Sequence, residues 1–134
     1  AIFNIVFGYL GDIFGRKIAI SGFFVGHFLA GLTAILATEP WMAYLVFLFI
    51  GMGFGAGQSS FMVFVYEFAG EGGDRKFYYA ALDTAIAPFI IIYISIAGLI
   101  VETLGTTFLY TLSLGFVLLG LFVFIYKVKA PVIT

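Results

Sequence analysis

Four long apolar runs decide what this chain can become. Residues 18–37 carry no charged residue and one histidine, His27. Residues 41–66 and 104–126 carry no charge at all, and residues 77–101 carry only Asp83. About 20 such residues in a helix cross the hydrocarbon core of a bilayer, and all four runs reach that length. A 134-residue chain would ordinarily make one soluble domain. Here 63% of the residues are hydrophobic and 10% charged, against about 45–50% and 25% in soluble domains. A soluble core of this size has no room for that much apolar surface. Disorder is excluded by the same composition, nucleic-acid binding by a net charge of −1, and a disulfide scaffold by the absence of cysteine.

With no water to satisfy backbone groups, the runs are expected to be helices. They lack the alternation that a membrane β-barrel requires. The expected fold is therefore all-α, a polytopic transmembrane helix bundle in a single domain. Its predicted spans are 18–37, 41–66, 77–101 and 104–126, preceded by a partial span over residues 1–10. That first segment is too short to cross and has no basic region of the kind that opens a signal peptide. It reads as the last half of a helix that begins outside this chain, which makes the whole about four and a half spans. One crossing per long run places Arg16, Lys17, Arg75, Lys76, Lys127 and Lys129 on one side and Glu39 and Glu102 on the other. The positive-inside rule makes the basic side cytoplasmic, and the plasma (inner) membrane is the expected location.

The turn between the partial span and the first full span is the most specific feature. Gly8-Tyr9-Leu10-Gly11-Asp12-Ile13-Phe14-Gly15-Arg16-Lys17 resembles the signature loop of the major facilitator superfamily, G-x-L-a-D-r-x-G-r-k. Gly8, Leu10, Asp12, Gly15, Arg16 and Lys17 match it, whereas Gly11 and Ile13 stand where alanine and arginine are common. Glycine suits a tight reversal and a close helix approach. A carboxylate is favoured near a helix N-terminus, and the basic pair is expected to anchor the loop at the lipid headgroups. A generic hairpin in which Asp12 pairs with Arg16 is the plainer reading, but it does not require the Gly-Asp-Gly spacing.

The resemblance implies a secondary transporter of twelve spans in two related halves, with the loop after the second span and again, in weaker form, after the eighth. The order seen here fits spans 2–6 or spans 8–12. Three features favour the C-terminal half, spans 8–12. Phe47, Leu48 and Phe49 occupy the stretch where a fourth span usually carries arginine; residues 74–98 resemble the start of an eleventh span; and Lys127-Val128-Lys129-Ala130-Pro131 is similar to the basic tail after a twelfth.

Several polar residues and glycines inside the spans are candidates for function. Gln58 is costly in lipid unless it faces the bundle interior or a water-filled cavity. The resemblance would place it on the central cavity, so it is a substrate-contact candidate, with an interhelical hydrogen bond as the alternative. Asn4 on the partial span is a second cavity candidate. Asp83 lies roughly 10 Å beyond Lys76 and is a candidate for proton coupling or for pairing with the nearby cations. Pro88 removes a backbone donor and is expected to bend its helix, and Gly55 within the glycine run 51–57 is a second candidate bend. His27 reads as a packed, neutral side chain. Gly22/Gly26, Gly51/Gly55 and Gly53/Gly57 form small-residue pairs suited to close helix packing. Glu67 and Arg75 belong to a charged loop that, in the resembled family, exchanges salt bridges with the signature loop; Asp12 to Arg75 is the expected gate contact.

No nucleophile-base-acid set, second histidine for a metal or phosphate-binding loop is present, so neither an enzyme nor a cofactor or metal is expected. The expected function is part of a secondary active transporter that moves a small solute by alternating access. The partners implied are the solute, the lipid bilayer, and the remaining spans of the same transporter or a second subunit, with no nucleic acid. The alternative is a non-transporting membrane scaffold subunit of a larger complex, which leaves residues 8–17 unexplained.

Overall fold

The computed structural model describes residues 2–70 and 73–128, apart from the side chains of residues 16, 62, 64, 67–69 and 75. Five helices follow one another: α1 (Ile2–Phe14), α2 (Arg16–Leu36), α3 (Met42–Ala69), α4 (Arg75–Leu104) and α5 (Thr106–Lys127). The last four are long and apolar enough to cross a membrane. The fold is a partial helical bundle of the expected class, but the helices outrun the apolar runs. A helix does not end because charged residues appear. It continues until a backbone breaker arrives, so α1 passes through Gly11 and Asp12 and α3 passes beyond Tyr66.

Three glycines make the breaks. Gly15 (φ 91°), Gly70 (φ 70°) and Gly105 (φ 84°) are the positive-φ residues among those described. Gly15 (ψ 150°) and Gly105 (ψ 166°) occupy a region that is essentially open only to glycine. Each alone reverses the chain between two helices. The α3–α4 link is closed by Asp74, whose carboxylate accepts from the backbone N–H of Lys76 (3.1 Å) and Phe77 (3.2 Å) and so satisfies two orphan donors. At the opposite end of the bundle, the Thr38-Glu39-Pro40 turn is held by the Met42 N–H donating to the Glu39 carbonyl at 3.0 Å.

The core is the seam between α2 and α3, and small residues make it. Ala19, Ile20, Ala30, Ala56 and Ser60 are buried. A Cβ placed on Gly26 would meet the Gly53 nitrogen at 2.5 Å and the Phe49 carbonyl oxygen at 2.9 Å, so the two backbones are in contact. Lipid offers no hydrophobic drive between helices, and association depends on dispersion across such seams. Of the glycine pairs expected from spacing, Gly53/Gly57 does face α2: a side chain on either would strike His27 or Phe23. Gly51/Gly55 is not a pair, because Gly51 faces open space while Gly55 packs on Phe3 and the Asn4 backbone of α1. Gly22 packs on Phe7 of α1, whereas Gly26 packs on α3. Spacing detects a stripe of small residues but not how the stripe divides between neighbours.

Helix α5 lies antiparallel to α2. Gly31 receives Leu114, Gly120 receives the Phe24 ring, and Phe24 and Phe124 stack at 5.7 Å. Helix α4 packs on α5 and α3 and is otherwise uncovered; residues 83–96 are all exposed. Pro88 sits within that stretch, inside a helix that runs on to Leu104. Several hydroxyl groups are satisfied within their own helix. Ser21, Thr33, Ser95, Thr103 and Thr111 each donate to the carbonyl four residues earlier, as side chains in hydrocarbon must when no water is at hand.

Candidate functional site

The contacts make α2 and α4 run one way and α1, α3 and α5 the other. One end of the bundle therefore carries the Gly15 reversal, the start of α4 and the end of α5. Residues 8–14 are helical, so the motif is mostly the last two turns of α1 rather than a loop. Gly8 lies against α3, 4.0 Å from the Ser59 Cβ by way of an added Cβ, and Gly11 is buried. Leu10 is half-buried. Asp12 is exposed in the final turn of α1. Asp12 thus belongs to the end of α1, three residues before Gly15, which caps the start of α2.

Lys17 provides a long-range polar contact at this end. Its ammonium donates to the Ile125 carbonyl at 2.5 Å and to the Val128 carbonyl at 2.7 Å. Ile125 lies in the last turn of α5 and Val128 is its C-cap, where carbonyls lack partners within the helix and carry the negative end of its dipole. Lys17 thereby ties the start of α2 to the end of α5. Spacing gave no sign of it, since the partners are backbone atoms 108 and 111 residues away. The side chains of Arg16, Glu67 and Arg75 lie outside the described residues, and with them the Asp12–Arg75 gate contact.

Two cavities open between the α2–α3 pair and the α4–α5 pair. The first, about 390 Å³, is nearer the Gly15 end and is lined by Gln58 and Tyr79 among Phe23, Phe54, Phe61 and Phe124. Gln58 is exposed at its wall and makes no interhelical hydrogen bond among the described residues. Asn4 is exposed on α1 and does not line this cavity, so the two candidates are not brought together. Asp83 is exposed on α4, and among the described residues no ion pair joins it to Lys76. Gly55 is held against α1, a close-packing position.

The second cavity, about 730 Å³, is nearer the Gly105 end and includes His27, Tyr93, Tyr110 and Ser113. The Tyr93 and Ser113 hydroxyls are 2.9 Å apart. His27 Nδ1 lies 2.8 Å from the Phe23 carbonyl, and its ring packs between Phe23 (4.3 Å) and Phe54 (5.5 Å). The pairing of Tyr93 with Ser113 went unread in the sequence. The available signal was weak: Tyr93 lies 12 residues before Gly105 and Ser113 eight after it, offset by about one helical turn across the hairpin.

A sequence model of the Major Facilitator Superfamily matches residues 1–133. The chain belongs to the Major Facilitator Superfamily. Comparison with curated proteins and with solved structures returned no significant match. Family membership and four apolar helices of spanning length make the chain an integral multi-pass membrane protein of a transporter family. In this superfamily member the matched motif is not a free loop. It is a helix end, a single-glycine reversal and a lysine bound to a neighbouring helix.

Proposed function

We propose that the chain is the C-terminal-half portion, spans 8–12, of a secondary active transporter that moves a small solute by alternating access, with the basic end facing the cytoplasm. The observation that carries this reading is the Lys17 contact. It joins the motif to the far end of α5, so α2 and α5 move as one body at the membrane surface, as rocking of one half against the other requires. The exposed, apolar α4 then supplies a face for the remaining spans of the same transporter or a second subunit. Lys17, Lys76 and Lys127 gather at the basic end and Glu39 and Glu102 at the other, which supports the orientation. Gln58 on its aromatic cavity is the proposed solute contact, an uncharged amide suited to a polar neutral group. Asp83 on the exposed face of α4 is the proposed coupling carboxylate.

The test is uptake into proteoliposomes of a panel of radiolabelled small solutes, with and without an imposed proton gradient, using the natural gene product. Asp12→Asn is expected to abolish uptake while leaving helicity and monodispersity unchanged. Full uptake by that variant refutes the role of the motif, and absence of uptake for every solute in the folded parent refutes transport.

A further inference from the structure

The cavity around His27 is separate from the Gln58 cavity and carries its own polar chemistry. The Phe23 carbonyl only accepts hydrogen bonds, so His27 Nδ1, 2.8 Å away, carries a hydrogen. In a neutral imidazole with its hydrogen on Nδ1, Nε2 is an acceptor. Among the described residues no buried side-chain nitrogen or oxygen lacks a partner, and no hydrogen bond to Nε2 is formed. That nitrogen is therefore not a sealed, unsatisfied atom, and His27 is part of this cavity's wall. Opposite it, the Tyr93–Ser113 pair uses one hydroxyl proton in its own 2.9 Å bond and keeps the other to donate. Acceptor and donor are set in a wall of Phe89, Phe116, Val117 and other apolar groups, with no charged residue in the lining. All four contributing helices pass this level within their apolar spans.

We infer that this cavity is a binding site for a neutral, hydrocarbon-soluble molecule with a rigid aromatic or alicyclic body and one hydroxyl group, taken from the bilayer. A charged ligand would enter without a counter-charge in a medium of low dielectric. A purely apolar one would leave Nε2 and the spare hydroxyl hydrogen unpaired. A hydroxyl both donates and accepts, which matches what the wall offers. A volume of about 730 Å³ falls in the range of pockets that hold drug-sized ligands, roughly 300–1,000 Å³.

The experiment uses the natural gene product in phosphatidylcholine nanodiscs. 1-Hydroxypyrene is the probe and pyrene its hydroxyl-free counterpart, with retention measured against empty nanodiscs. Saturable retention of 1-hydroxypyrene is expected, about tenfold tighter than pyrene, one decade being the worth of a single hydrogen bond. The shape-conserving double variant Tyr93→Phe/Ser113→Ala is expected to reduce that preference, and Val117→Phe, which fills the cavity, to remove saturable retention of both probes. Gly51→Ala adds a methyl group into open space and is expected to bind as the parent does. Equal affinity for the two probes overturns the inference, as does retention unaffected by both cavity variants, or none at all in the folded parent. Solute uptake is measured separately, so its failure leaves this result standing.

Discussion

Gly26→Ala tests directly whether backbone contact between α2 and α3 holds the bundle together. The new Cβ meets the Gly53 nitrogen at 2.5 Å, the Gly53 Cα at 2.7 Å and the Phe49 carbonyl oxygen at 2.9 Å. All three are backbone atoms, so no side chain can rotate out of the way. Ordinary contact begins at 3.4 Å, so the helices must separate by about 1 Å, a gap that forfeits a quarter to a half of each dispersion contact along the seam. Overpacking of this kind costs about 1–3 kcal/mol. Alanine also favours helix over glycine by up to about 1 kcal/mol, which would blur a single measurement. Gly51→Ala removes that ambiguity. It lies on the same seam-forming helix as Gly53, within α3, and meets nothing within 4 Å. The propensity gain is common to both variants, so their difference isolates the seam. Reversible unfolding in mixed micelles of increasing SDS, followed by circular dichroism, is expected to place Gly26→Ala about 1–3 kcal/mol below Gly51→Ala. Stabilities within a few tenths of a kcal/mol of each other would refute the close approach of α2 and α3.

Three further outcomes follow from single contacts. Gly15→Ala meets no atom within 4 Å, so its loss of about 1–3 kcal/mol in the same unfolding assay is backbone strain alone. A neutral result would mean that the α1–α2 reversal is not built as described. Lys17→Met keeps the aliphatic stem but removes the charge from the α5 carbonyls, and is expected to cost about 0.3–2 kcal/mol. It should also speed amide hydrogen exchange in the last turn of α5 specifically; uniform or unchanged exchange would contradict the contact. Asp74→Ala leaves the Lys76 and Phe77 N–H groups without their acceptor and is expected to lose about 1 kcal/mol, most of it restored by Asp74→Ser. Equal stability of the alanine and serine variants would show that the cap contributes nothing.

Much of this molecule is legible in one dimension, for a physical reason. Transfer into hydrocarbon depends on the composition of a local window, so hydropathy alone counts the crossings and separates Lys17, Lys76 and Lys127 from Glu39 and Glu102. The resemblance of residues 8–17 is equally local, because a reversal at Gly15 needs glycine at that position whatever surrounds it. Helix ends were less readable, since Asp12 and Glu67 look like the start of loops yet lie on α1 and α3; charge is tolerated near the headgroups and does not stop a helix.

Which residues meet was not readable. Helices α3, α4 and α5 are apolar on every side, so their sequence period does not say which side faces protein. Rotation and neighbour are chosen by packing among all the helices at once. That choice sends Gly53 to α2 but Gly55 to α1, leaves Gly51 in the open, and sets Gln58 and His27 at different cavities. It also turns Lys17 toward carbonyls more than a hundred residues away, because an unpaired helix end near the membrane surface attracts whichever cation the assembled bundle brings within reach.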